Sequence, residues 1–181
     1  MTNKPVRILD LCTGTGCISL ALAKKLPKNT VEITGIDISA AAIALAKENF
    51  ALHKESLNNP VTFEQKDIFQ LDSHDVEPYQ LFVSNPPYVT HDEYATLEPC
   101  VRDWEDKRAL VADEQGTSIH KRIIDLSRHS KPYAENTPYV FMEIGGAHQV
   151  KVLMQTMQQA GLHNISIWKD LADRDRVIVG Y

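Results

Sequence analysis

Four residues near the middle of the chain, Asn85-Pro86-Pro87-Tyr88, combine types that can hold and align a planar NH2 group. Asparagine brings a side-chain oxygen that accepts hydrogen bonds, and each proline brings a carbonyl but no N–H. Pro86 and Pro87 hold φ near about −65°, and Asn85, standing before a proline, is biased to extended geometry. Leu81-Phe82-Val83 just upstream is a short apolar run that reads as a buried strand ending at Ser84. The four residues therefore make a stiff turn at a strand's carboxyl end, where ligands sit in an α/β sheet. Alone, they would equally suit a plain loop stopped by two prolines.

Three other places could hold a ligand for that turn to act with. Thr13-Gly14-Thr15-Gly16 follows the apolar stretch Val6–Leu11 and precedes Ile18, Leu22 and Leu26, which repeat at a helical spacing. Strand, glycine turn, helix is a site builder: glycine lets backbone approach a ligand, and free N–H groups lie at the helix start. Ser19 stands where a dinucleotide fingerprint has its third glycine. Asp37, 21 residues after Gly16, ends the second strand and can accept from both ribose hydroxyls of a nucleoside-like ligand, or merely start a turn. Asp67, beside Ile68, can accept from an adenine amino group while its apolar neighbour packs on the ring; a solvated surface carboxylate is the plain alternative.

The elements that must position these residues follow from periodicity. Strands are expected at Val6–Leu11, Val31–Ile36, Val61–Glu64, Leu81–Ser84, Tyr139–Glu143, Ile165–Trp168 and Val177–Val179. The last two are close enough to pair as an antiparallel hairpin. Helices are expected after the glycine turn, from Ser39 as N-cap, from Ile119 to about Ser130, and through Val150, Leu153 and Met157 to Gly161. Ser73–Pro78 reads as a loop, and Thr90–Gly116 as an irregular flap facing substrate. The expected fold class is a three-layer αβα, Rossmann-like arrangement with a seven-stranded, mostly parallel sheet and an antiparallel final strand.

At 181 residues, 43% apolar and 24% charged, the chain suits one globular domain. A net charge of −5 argues against a partner held mainly through phosphates. The odd count of three cysteines forms no framework, and the seven histidines lack metal-ligand spacing, so no metal site is expected. No apolar run has the length of a membrane span. The stretch Met1–Pro5 has no signal h-region and leads into a strand almost at once, as expected if upstream sequence is missing.

Taken in order, Asp10 to Ile18, Asp37, Asp67, Val83 to Val89, Ala109-Leu110-Val111 before Gly116, Glu143-Ile144-Gly145 with Gln149, and Arg176 to Gly180 resemble the HemK/PrmC family of release-factor glutamine N5-methyltransferases. These belong to the class I S-adenosylmethionine-dependent methyltransferases. The Cys12-Thr13-Gly14-Thr15-Gly16-Cys17 variant resembles the fungal mitochondrial branch. The resemblance spans essentially the whole of residues 1–181 as one catalytic domain. The family's N-terminal helical domain and its Arg-Pro-x-Thr-Glu segment before the first strand have no counterpart here, and Gln115-Gly116 stands where the family usually has Asp-Gly.

The resemblance implies methylation of the Gly-Gly-Gln glutamine of class I peptide chain release factors, in translation termination. Catalytic roles fall to Asn85, Pro86, Pro87 and Tyr88: the Asn85 side-chain oxygen and Pro86 carbonyl would accept both N–H bonds of the substrate amide, and Tyr88 would stack on it. Cofactor contacts fall to Thr13, Gly14, Thr15 and Gly16, to Asp37 with Ile38, to Asp67 with Ile68, and to Asn85, with S-adenosyl-L-homocysteine as product. The protein is expected to be a monomer in the mitochondrial matrix, or alternatively the cytoplasm, with no membrane and no direct nucleic-acid contact. The same turn would suit an adenine-N6 or guanine-N2 nucleic-acid methyltransferase, but no Lys/Arg cluster adjoins it. Other readings are a domain that binds cofactor without turnover, and an NAD-binding domain, for which no hydride-transfer residue can be named.

Overall fold

The computed structural model describes residues 4–181; the first three residues of the Met1–Pro5 stretch lie outside them. The chain alternates β1 (Val6–Leu11), α1 (Cys17–Lys25), β2 (Val31–Asp37), α2 (Ala40–His53), β3 (Val61–Gln65) and β4 (Leu81–Ser84). After the flap come α3 (Ser118–Ser127), β5 (Val140–Glu143), α4 (Ala147–Gln159), β6 (Ser166–Lys169) and β7 (Asp175–Gly180). The seven strands stand in the order β3-β2-β1-β4-β5-β7-β6. All neighbours are parallel except β7, which runs antiparallel to both β5 and β6. The strand order reverses between β1 and β4, so their carboxyl ends diverge into a crevice at the middle of the sheet. Leu11 and Ser84 are opposite each other in register, and the Ser84 hydroxyl donates to the Leu11 carbonyl at 2.6 Å.

Side-chain alternation along each strand builds a core on both faces. On one, Leu9, Leu11, Phe82, Val140, Met142 and Ile178 pack against Ile123, Ile124 and Leu126 of α3 and Leu153 and Met157 of α4. On the other, Ile8, Val31, Ile33, Val61 and Phe63 pack against Ala23 of α1 and Ile43 and Ala46 of α2. Burial of each larger aliphatic or aromatic side chain is worth roughly 1.5–3 kcal/mol, which orders both helix layers on the sheet. The innermost positions of α1 are Ser19 and Ala23. Its Ile18, Leu22 and Leu26 stripe instead borders an apolar groove of about 440 Å3 with Leu81, Val83, Phe141, Trp168 and Val177. Lys25 ends the helix because Leu26 precedes Pro27 and is extended.

Two stretches are more ordered than their composition suggests. Ser73–Val76, expected within a loop, is a helical turn. Asp72 caps it by accepting from His74 and Asp75 N–H groups, and Asp75 returns a carboxylate to the Asp72 N–H. Val76, fully buried, anchors it. The flap consists of single turns at His91–Tyr94, Pro99–Arg102 and Lys107–Leu110, followed by a turn at Asp113–Gly116. Each is too short to show a hydrophobic period. The flap then folds back onto the reactive turn: Val89 N–H donates to the Leu110 carbonyl at 2.8 Å, and Ala112 N–H to the Val89 carbonyl at 3.0 Å.

Candidate active site

The glycine turn is built on a buried carboxylate. Asp10, at the end of β1 and without solvent exposure, accepts on Oδ2 from the Thr13 hydroxyl (2.6 Å), the Ser19 hydroxyl (2.7 Å) and the Ser19 N–H (3.1 Å). Its Oδ1 has no partner among the described residues. Burial pushes the Asp10 carboxyl up to about 6, against the lowering effect of these bonds. Because the folded value lies above the unfolded one, the native state holds the extra proton. This contribution to stability is full below about pH 4 and is lost as pH rises through about 6. The wild type should therefore lose stability relative to Asp10→Asn between these pH values, by on the order of 3 kcal/mol. Parallel urea titrations check the slope; equal pH dependence in the two proteins would reject it.

Sequence reasoning quoted Asp10 without giving it a task. The signal was there: an acid ending a strand, with hydroxyl residues three and nine positions on. The turn also needs its glycines for packing. A Cβ on Gly16, which has φ +80°, would lie 2.6 Å from the Phe63 ring. A Cβ on Gly35 in β2 would meet the same ring at 2.7 Å. Gly14, by contrast, has open space beside it. Burial, then the Asp37 and Asp10 charges, push the Cys12 thiol up to about 12, which disfavours its thiolate.

Asp37 joins the ends of β1 and β2: its Oδ2 accepts from Gly14 N–H and its Oδ1 from Ser39 N–H, both at 2.9 Å. Ser39 caps α2 through Ala42 N–H at 3.3 Å. The third wall is the loop after β3, where Asp67 Oδ1 accepts from Phe69 N–H at 2.9 Å. Arg122 of α3 fixes this loop from behind, donating Nε to the Ile68 carbonyl (3.1 Å) and Nη2 to the Leu71 carbonyl (2.5 Å). Sequence reasoning missed Arg122: it pairs locally with Asp125, but the carbonyls it holds lie more than fifty residues away and leave no local pattern.

A cavity of about 450 Å3 occupies the crevice at the strand ends. Thr13, Gly14, Thr15, Asp37, Ile38, Asp67, Ile68, Asn85 and Pro87 line it together. Among the other expected residues, Gly16 lies beneath the turn against Phe63, and Pro86 packs inward. Tyr88 stands behind the wall, its hydroxyl donating to Glu143 Oε1 at 3.1 Å. Burial, then the Glu143 charge, hold the Tyr88 phenol above its usual range. The flap completes the rim with Asp106, Arg108 and Ala109, and α3 adds Ile119. Asn85 is exposed and lines the cavity together with Asp37 and Asp67, at the point where it borders the apolar groove beside α1.

Known proteins resemble this chain over nearly its whole length. A "Release factor glutamine methyltransferase" of Thermodesulfovibrio yellowstonii is 36% identical over 179 residues, covering 99% of this chain and 60% of that protein. The "Probable MRF1 mitochondrial N(5)-glutamine methyltransferase mtq1" of Schizosaccharomyces pombe is 32% identical over 190 residues, covering 97% of this chain and 59% of that protein. The chain thus spans about three fifths of the length of these curated relatives. In fold it matches the "hMettl16 catalytic domain in complex with MAT2A 3'UTR hairpin 6" with a TM-score of 0.68 at 16% identity, over 97% of this chain and 64% of that one. That likeness identifies the sheet and its helices as the class I methyltransferase fold. A family model described as "Methyltransferase domain" matches residues 2–129, and the chain therefore belongs to the methyltransferase-domain family.

Proposed function

We propose that this chain is the single catalytic domain of an S-adenosylmethionine-dependent enzyme that methylates the Gly-Gly-Gln glutamine of a class I peptide release factor on its side-chain nitrogen. The observation that carries the reading is the convergence of Asn85 with Asp37 and Asp67 on one cavity. The donor set fits the cofactor. Gly14 leaves room for close approach, and the Asp37 and Asp67 carboxylates on the cavity wall would accept from the ribose hydroxyls and the adenine amino group. When bound, S-adenosylmethionine supplies an activated methyl group and leaves as S-adenosylhomocysteine.

The chain's own work is then alignment. An amide nitrogen is a poor nucleophile because its lone pair is delocalised into the carbonyl. Asn85 Oδ1 and the Pro86 carbonyl accept the two N–H bonds of the substrate, which fixes the NH2 plane and steadies nitrogen as positive charge develops. Holding two reactants in such a pose can supply about 7–11 kcal/mol. Pro86 and Pro87 keep the turn stiff, and Tyr88, tethered to Glu143, bounds it. The departing proton needs no dedicated base, since it becomes acidic once the methyl is in place. Arg122→Met should raise the cofactor Kd about tenfold by loosening the Asp67–Ile68 wall, with kcat at saturating cofactor unchanged; calorimetry and initial rates separate the two.

The mitochondrial name of the fission-yeast relative supports a matrix location and a mitochondrial release factor. No helix among the described residues is long and apolar enough to cross a membrane. We infer that the domain acts as a monomer. Intact-mass spectrometry of a purified release factor, incubated with the chain and S-adenosylmethionine, tests the reading. The expected gain is one methyl group, lost when the Gly-Gly-Gln glutamine is replaced. Methylation of DNA or RNA with none of the release factor would overturn it.

A further inference from the structure

Gln149, on the first turn of α4, is 1% exposed, yet every polar atom of its side chain is used. Its Nε2 lies 2.9 Å from the Tyr88 carbonyl and 3.2 Å from the carbonyls of Gln115 and Gly116. Its Oε1 accepts from Gly145 N–H at 2.8 Å. One side-chain amide therefore ties together the reactive turn, the end of the flap and the exit of β5.

The flap end is not a conformation that would hold itself. Glu114, Gln115 and Gly116 are successively left-handed, with φ of 55°, 58° and 75°. Non-glycine residues adopt that region at a cost, and persist there only where the surroundings over-determine it. The backbones are also in close contact, since a Cβ on Gly116 would fall 2.0 Å from the Tyr88 carbonyl oxygen. Three carbonyl oxygens converging on one dry spot repel one another unless an N–H donor stands between them. An apolar side chain of the same length would fill the volume but leave all three unpaired.

We infer that Gln149 is a positioning residue: by donating to the Tyr88 carbonyl and to the flap end, it sets the Asn85-Pro86-Pro87-Tyr88 turn against the cofactor cavity. This inference rests on the proposed methyl transfer for its kinetic consequence, but not for its structural one. Tyr88 is then held at both ends, by Gln149 at its carbonyl and by Glu143 at its hydroxyl. His120 of α3 steadies the same corner, its Nε2 donating to the Glu143 carbonyl at 2.7 Å.

Two variants separate positioning from packing. Gln149→Glu keeps the volume and the acceptor for Gly145 N–H but removes the NH2 donor. Gln149→Met keeps only the volume. Both should lower kcat by roughly 100-fold, the scale of a reactive group misplaced by about 1 Å, with S-adenosylmethionine affinity within about twofold by calorimetry. Hydrogen exchange gives the readout that does not depend on the substrate. In both variants, amides of residues 88–90 and 110–118 should exchange at least about tenfold faster, while those of β1 and β2 keep wild-type rates. Wild-type exchange in the Glu variant would overturn the inference, as would a uniform change across the sheet. Faster local exchange in a protein whose wild type methylates no release factor would sink the proposed substrate and leave the role of Gln149 standing.

Discussion

Asn85→Ala is expected to lower kcat for methyl transfer by about 10²–10³-fold, the range seen when one preorganised polar contact to a transition state is removed. S-adenosylmethionine affinity should stay within about twofold, because the glycine turn, Asp37 and Asp67 carry the cofactor contacts proposed here. The separation is sharp because Asn85 sits at the cavity edge, exposed, at the end of a strand whose neighbours bury Phe82 and Ser84. Truncating it leaves the turn's backbone, stiffened by two prolines, in place. Single-turnover kinetics with excess enzyme, paired with calorimetric titration of the cofactor, distinguish the outcomes. Wild-type turnover would remove Asn85 from the mechanism, and loss of cofactor binding would reassign it to the cofactor.

Gly116→Ala should cost about 2–5 kcal/mol and abolish most turnover. Two terms contribute. A left-handed backbone penalises a β-carbon by about 1–2 kcal/mol, and overpacking adds about 1–3 kcal/mol. The collision falls on the Tyr88 carbonyl oxygen at 2.0 Å and on Gln149 Nε2 at 2.6 Å. Because the nearer neighbour is backbone, the relief must come from movement of the reactive turn or the flap. Gly161→Ala is the matched control: its φ is +93°, but nothing lies within 4 Å of the added carbon. It should show the conformational cost alone, about 1–2 kcal/mol, with activity retained. Urea denaturation and initial rates for both variants test the pair, and equal losses would show that contact with Tyr88 contributes nothing.

The elements with a long or strictly alternating pattern were readable from the chain, and so was the shape they make. Seven strands appear near their expected positions, β7 is antiparallel, and β6 pairs with it. The glycine turn and the proline turn carry their own backbone instructions, so both were legible. What escaped depends on distance along the chain. Arg122 meets carbonyls 51 and 54 residues away, and Gln149 reaches across 33 to 61. No local pattern announces such bonds. The stripe Ile18, Leu22 and Leu26 marks one face of α1, but the buried positions are Ser19 and Ala23, and the stripe borders the apolar groove instead. The capped turn at Ser73–Val76 was missed because polar residues that cap a helix also compose loops.

The register that sets Leu11 beside Ser84 has a consequence for how such a domain can change. The cofactor turn and the reactive turn leave adjacent strands, and adjacent strands lie roughly 4.8 Å apart in any sheet. The gap between the bases of the two turns is thus set by the sheet and not by the surrounding loops. Residues 90–116 leave from one side of that gap and return to it at the Val89–Val111 bridge. Their middle stretch can be lengthened or recharged only while the 110–116 end, which packs on Val89 and Tyr88, stays in place. The two central strands are the fixed frame, and the middle of the flap is the part with room to vary.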